Sequence, residues 1–212
     1  MDETLLNLLT NKNLALPGNR PLLLVILGPY AAAQAMLTLA AHLARRGPLQ
    51  VLDGGNRFNA YIVARQLRRL AGLDTARTQP GPAPARPGPV LAQPGPVPDL
   101  RQCLDRIRVA RAFTCYQMAA LLAQQPVTPQ PVVVLDLLAT FYDENVAWKE
   151  RLWLLEACQE HLRALRQQAP LVISANPPRL AQADELLDRL VNLADQVWQF
   201  TAASPEEQPR LL

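Results

Sequence analysis

The segment Gly28-Pro29-Tyr30-Ala31-Ala32-Ala33-Gln34-Ala35 has the length and position of a phosphate-binding loop but not its residue types. It follows an apolar run, Leu22–Leu27, and leads into a helix-forming stretch from about Ala31. A working loop there reads G-x-x-x-x-G-K-[ST]: backbone N–H groups cradle phosphate, the Lys reaches the β/γ-phosphates and the hydroxyl binds Mg²⁺. Here Gln34 offers a neutral amide, which cannot offset triphosphate charge. Ala35 has no hydroxyl, and Ala33 lacks the backbone freedom of a glycine, so the cradle is expected to be closed or tilted. Asp136 is the remaining acid of interest, ending the apolar run Pro131-Val-Val-Val-Leu135. A carboxylate at the carboxyl end of a parallel strand faces the crevice where α/β proteins bind ligands. With the Mg²⁺ hydroxyl gone, its expected role is structural: capping a loop or pairing with an Arg.

The other chemistry-bearing side chains form no constellation. Cys103, Cys115 and Cys158 are odd in number and widely spaced, giving neither a disulfide framework nor a zinc pattern. His42 and His161 stand apart on helical stretches without a partner at ligand spacing, and Ser174 has no triad-like arrangement with them in the sequence. The sequence therefore predicts no catalytic residue, no metal and no cofactor.

The elements that would position these residues alternate between strands and helices. The pattern predicts a short N-terminal helix over 3–10 within a helical segment 1–20. Strands follow at 22–27, 50–52, 107–113, 131–135, 171–174 and 196–200, and helices at 31–46, 58–71, 116–125, 145–168 and 179–193. Arg45-Arg46-Gly47-Pro48 is a strong helix stop. Prolines 80, 82, 84, 87, 89, 94, 96 and 98 exclude helix and central strand from 78–99, which reads as a Pro-rich insertion loop, a surface loop or docking arm. Strands that are apolar throughout, separated by helices, imply an α/β fold with a mainly parallel sheet covered on both faces.

The 212 residues are enough for a single domain with its own core. Half are hydrophobic, mean hydropathy is 0.00, and no apolar run reaches the roughly 18–20 residues of a membrane span. The start, Met-Asp-Glu-Thr, lacks a basic leader region, so a cytoplasmic location is expected. A net charge of +3 is too mild to mark nucleic-acid binding by itself. The basic residues are nearly all Arg, with Lys only at Lys12 and Lys149.

Four segments in order resemble the ATPase core of the RecA/RadA-type recombinases. They are the Gly28–Ala35 segment; Val51-Leu-Asp-Gly-Gly-Asn-Arg-Phe58; Val109-Ala-Arg-Ala-Phe-Thr114; and Val132-Val-Val-Leu-Asp136 with the long helix and Leu171-Val-Ile-Ser174 after it. The resemblance covers roughly residues 20–200 and implies a three-layer RecA-like P-loop NTPase fold. It places Gly28, Pro29, Tyr30, Ala33, Gln34, Ala35, Gly55 and Asp136 in a degenerate nucleotide site. Gly55 falls where the family has its catalytic Glu, and Asp136 where it has its Walker B carboxylate. Loss of the phosphate Lys, the Mg²⁺ hydroxyl and the base together argues against hydrolysis, because phosphoryl transfer is almost wholly positioning and charge neutralisation.

The resemblance implies a non-catalytic recombinase paralogue, an accessory protein in DNA recombination or repair that binds a recombinase-like ATPase, a second copy of itself or DNA. The family's DNA-binding loops fall at Thr140–Asn145 and Asn176–Arg179, both short here and the first acidic. Arg65, Arg68, Arg69, Arg106, Arg108 and Arg111 offer a separate basic face for DNA or a partner, or else solvated and intramolecular charge. An alternative is an interaction subunit without nucleic-acid contact, docking through the Pro-rich arm and Leu5, Leu6, Leu8 and Leu9. A third reading is a divergent ATPase charged in trans.

Overall fold

The run Leu22–Leu27 becomes β3 (Leu23–Leu27), a strand buried at every residue. The computed structural model describes residues 15–16, 20–28, 30–72, 99–179 and 181–200. The expected helix over 3–10 and nearly all of the Pro-rich segment lie outside the described residues, as does Pro29. A small antiparallel ribbon, β1 (Ala15–Leu16) with β2 (Arg20–Pro21), precedes β3 and corrects the expected helical segment 1–20 at these residues, where Pro17-Gly18 in the sequence is unsuited to helix.

After β3 come α1 (Tyr30–Arg46), β4 (Leu49–Asp53), α2 (Ala60–Leu70), α3 (Leu100–Asp105), β5 (Ile107–Arg111), α4 (Cys115–Ala123) and β6 (Val132–Leu135). A 3₁₀ turn at Leu137–Phe141 leads to α5 (Trp148–Leu165) and β7 (Leu171–Ala175). A second 3₁₀ turn at Ala181–Ala183 precedes α6 (Asp184–Val191) and β8 (Gln196–Gln199). The six strands from β3 onward form one sheet in the order β5-β4-β6-β7-β3-β8, and every pairing is parallel.

That order decides which face each helix covers. From β3 the chain moves one way, to β4 and β5; from β5 onward it moves back, to β6, β7 and β8. Right-handed crossovers must place the helices of these two runs on opposite faces. The buried side chains divide accordingly. Leu22, Leu24, Ile26, Val51, Val133 and Val172 pack with α1, α2 and α3. Leu23, Val25, Leu52, Val134, Leu171 and Ile173 pack with α4, α5 and α6. The result is a three-layer α/β arrangement, and the alternation of adjacent residues between two cores is why the central strands are apolar throughout.

Local chemistry fixes the element ends. Asn59 caps α2 by accepting from the N–H groups of Tyr61 and Ile62. Thr114 caps α4 through Gln117 N–H while Gln117 Oε1 accepts from Phe113 N–H, so the expected strand 107–113 stops at Arg111. The expected helix 179–193 is a 3₁₀ turn followed by the shorter α6, with Asp184 and Glu185 in its first turn. Helix α3, capped by Asp99, and the 3₁₀ turn at Leu137–Phe141 are additional elements without a sequence expectation. Asp195 ties β3 to the C-terminal third: it accepts from Leu23 N–H at 3.0 Å and pairs with Arg166 at 2.7 Å.

His42 lies half-buried on α1, and burial, with Arg46 and Arg45 nearby, lowers its pKa below 6.5. The fold disfavours the protonated form, so the unfolded chain binds more protons just below 6.5. The stability linked to His42 is complete above that value and is lost as pH falls through the lowered folded value. Urea midpoints taken between pH 7.5 and 5 should fall on acidification, with a smaller fall in His42→Gln.

Candidate functional site

Strand β3 sends its chain to one face of the sheet and its neighbour β7 to the other. Such a divergence opens a crevice beyond the carboxyl ends of the strands. A cavity of about 1210 Å³ lies there, bounded by Gly28, Gln34, Arg57, Asp136 and Asn176 among others. Gly28, Ala33, Gln34 and Asp136, named from the sequence, thus meet around one space. Gly55 lies directly against Asp136, whereas Ala35 does not line the cavity.

The N-terminal wall departs from a phosphate-binding loop in shape as well as composition. Helix α1 begins at Tyr30, two residues after Gly28, so Ala33, Gln34 and Ala35 are helical. Gln34 is exposed, and its carbonyl accepts from Thr38 Oγ1 at 2.9 Å. A single residue separates Gly28 from the helix, too short a link to curl around a triphosphate. Gly28 itself has φ +134°, and a Cβ there would lie 2.5 Å from the carbonyl oxygen of Phe200. The glycine is required by the close approach of the chain after β8.

The opposite wall is built on two buried carboxylates at the ends of the neighbouring strands β4 and β6. Asp53 is fully buried and accepts from the N–H groups of Arg57 and Phe58, at 2.8 and 2.9 Å; Arg111 Nε lies 3.4 Å from the same group. Asp136 is 3% exposed and adopts a left-handed backbone, φ 51° and ψ 54°. Its N–H donates to Ser174 Oγ at 2.9 Å. Its carboxylate accepts from Arg57 Nε at 3.2 Å, from Asn176 Nδ2 at 2.6 Å and from Asn176 N–H at 3.2 Å. Asp136 thus has the Arg pairing expected of a structural carboxylate. Arg57 joins the two acids, through its N–H to Asp53 and its guanidinium to Asp136.

Gly55 completes this wall by having no side chain. A Cβ there would fall 2.5 Å from Asp136 Oδ2 and 2.6 Å from its Cβ. The position has no room for a carboxylate base while Asp136 keeps this conformation. Tyr142 closes the floor, its hydroxyl donating to the Asn176 carbonyl at 2.8 Å; burial and the nearby Asp136 and Asp184 carboxylates raise its pKa. The Cys158 thiol, buried against α4, is pushed up to about 12 by its burial, which keeps it protonated and unreactive. Among the described residues no group of His, Cys, Asp and Glu is placed to hold a metal ion, and no helix is long and apolar enough to cross a membrane.

The six arginines expected to form one basic face lie on different elements. Arg65, Arg68 and Arg69 are exposed on α2, and Arg108 is exposed on the edge strand β5. Arg106 instead donates to the Ala44 and Arg45 carbonyls at the end of α1, and Arg111 reaches Asp53 and the Phe58 carbonyl. Sequence reasoning missed Arg57, Asn176 and Arg151. The first two carried no periodic signal. Arg151 did, since it precedes Leu155, Cys158 and Leu162 on the apolar stripe of α5. Lys149 is exposed on α5 and does not line the cavity.

No protein-family model and no curated protein matches this chain.

Adding one methyl group at Gly55 tests the wall directly. Gly55→Ala should lower stability by about 1–3 kcal/mol, the usual cost of overpacking. The cost should shrink in an Asp136→Gly background, where the clashing side chain is gone and the left-handed backbone suits glycine. Chemical denaturation of the two single variants and the double variant measures this coupling.

Proposed function

We propose that the chain is a non-catalytic RecA-like recombinase paralogue, an accessory protein in DNA recombination or repair that keeps a nucleotide-hydrolase scaffold for its surfaces. The observation that carries this reading is the occupancy of Asp136. The acid that would hold a metal is already taken by Arg57 and Asn176, and the neighbouring Gly55 leaves no space for a base. The early start of α1 and the absence of a Lys at position 34 support the same conclusion. Phosphoryl transfer needs the cradle, the cation and the base together.

DNA, where it binds, meets the exposed Arg65, Arg68 and Arg69, which share one helix, α2. Two measurements test the reading. Calorimetry with ATP and Mg²⁺ should show neither micromolar binding nor turnover; either would restore a divergent ATPase. Replacing Arg65, Arg68 and Arg69 together by Ala should weaken DNA binding and reduce its salt slope by about one unit per lost phosphate contact. An unchanged slope removes α2 from the DNA interface.

A second reading, an interaction subunit without nucleic acid, is favoured by the exposure of Tyr61, Phe113 and Trp153, each more than half accessible. Aromatic side chains of this size are common anchors of protein interfaces. Light scattering, together with mass spectrometry of proteins captured from the native host, separates the readings. A captured recombinase-like ATPase supports the first; stable partners unrelated to recombination, with no DNA binding, support the second.

A further inference from the structure

Arg151 is the buried charge that the wall around Asp136 leaves out. It is 8% exposed, yet none of its guanidinium nitrogens forms an ion pair with an acid among the described residues. Arg57, Arg111 and Arg166 each meet an Asp. The Arg151 guanidinium lies 5.0 Å from the Trp148 ring centroid, and Nη1 donates to the Phe141 carbonyl at 3.3 Å. Nε is fully buried and makes no hydrogen bond. A buried cation without a counter-charge is strongly unfavourable, and a buried N–H without an acceptor adds to that cost.

The side chain is nevertheless held in a definite pose on the cavity wall. The Trp148 ring and the Phe141 carbonyl are its two contacts there among the described residues. Nη2 is the nitrogen left to meet a carboxylate or phosphate oxygen from the cavity that Arg151 lines; Nε beside it has no accessible surface and joins it in a two-bond fork when the side chain shifts toward the ligand. Helix α5 starts beside it with Ala147 at its N-cap, which supplies no side-chain acceptor for the first-turn N–H groups. The cavity balance sets the size of the missing charge. Arg57 offsets Asp136, leaving Arg151 and Arg179 against Glu144, an excess of one positive charge in the wall. That suits one oxyanion and not a triphosphate.

We propose that Arg151 anchors a binding site for a small ligand bearing a single carboxylate or phosphate, housed in the cavity at the carboxyl ends of β3, β6 and β7. The cavity is large enough for a metabolite-sized molecule around that group. The site lies against α5 and needs neither the Gly28 turn nor a metal, so it stands or falls independently of ATP and DNA binding.

The test uses the full chain with inorganic phosphate and acetate as separate probes, each at constant ionic strength against chloride. Denaturation midpoints are followed for the wild type, Arg151→Met and Arg151→Lys. The expected result is a saturable rise of the wild-type midpoint with at least one probe, and the arm that responds identifies the group. Arg151→Met, which removes the isolated charge, should be more stable than wild type without anion and show no rise. Arg151→Lys keeps the charge but loses the planar fork, and should need at least tenfold more anion. No response of the wild type to either probe overturns the proposal, as does an equal response in Arg151→Met. If Arg151→Met fails to fold, a response of Arg151→Lys equal to the wild type overturns it.

Discussion

Asp136 and Asp53 are carboxylates removed from water at the ends of adjacent strands, and their charge has to be met where it is. Burying an ion is costly unless opposite charge and hydrogen bonds replace its hydration. The chain meets this demand from 54–58, the segment directly after β4. Arg57 gives its N–H to one acid and its guanidinium to the other, and Phe58 N–H completes the first. Asn176, at the end of β7, closes the second with both its side-chain and backbone N–H groups. The carboxyl ends of β4, β6 and β7 are therefore tied by fixed hydrogen bonds, and the cavity takes its shape from that tie. Gly54 and Gly55 follow from it: a Cβ at either would press on Asp136 at under 3.0 Å.

This arrangement places the two arginines of the cavity in opposite conditions. Arg57 is partly exposed and matched by an acid. Arg151 is buried and unmatched, set on an aromatic ring and one carbonyl. A fold retained for stability alone would favour an apolar side chain at such a position. Asp136 does not relieve it: its carboxylate accepts from Arg57 and Asn176 and forms no ion pair with Arg151. The wall around Asp136 is balanced in charge, and the Arg151 end of the cavity is not.

The sequence was most readable where side-chain periodicity reports burial. The order of six strands and the long helices followed from apolar runs such as Leu22–Leu27 and Pro131–Leu135, because strands covered on both faces have no polar side to blur the pattern. Helix α3 escaped because its six residues are too few to show a period. The start of α1 at Tyr30 was nearly visible, since Ala31 to Ala35 favours helix and has no glycine to interrupt it. The pairing of Asp136 with Arg57 crosses 79 positions of sequence and that with Asn176 crosses 40, distances at which composition and spacing say nothing. The split of the arginines had the same cause: Arg65 and Arg106 look alike in sequence, and only the packing of α1 against the turn before β5 gives Arg106 two carbonyls to cap.

Strand β3 is paired on one side with β7 and on the other with β8, in register from Leu23↔Leu171 and Leu24↔Gln196. The first strand of the large sheet therefore waits for the last two. While a ribosome is still making the middle of the chain, Leu23–Leu27 has no strand on either edge, and the face it turns to α4, α5 and α6 is uncovered. Contacts of such long range make folding slow and leave intermediates prone to association. A chain cut short after α5 would carry that orphaned strand permanently, a target for chaperones and proteases.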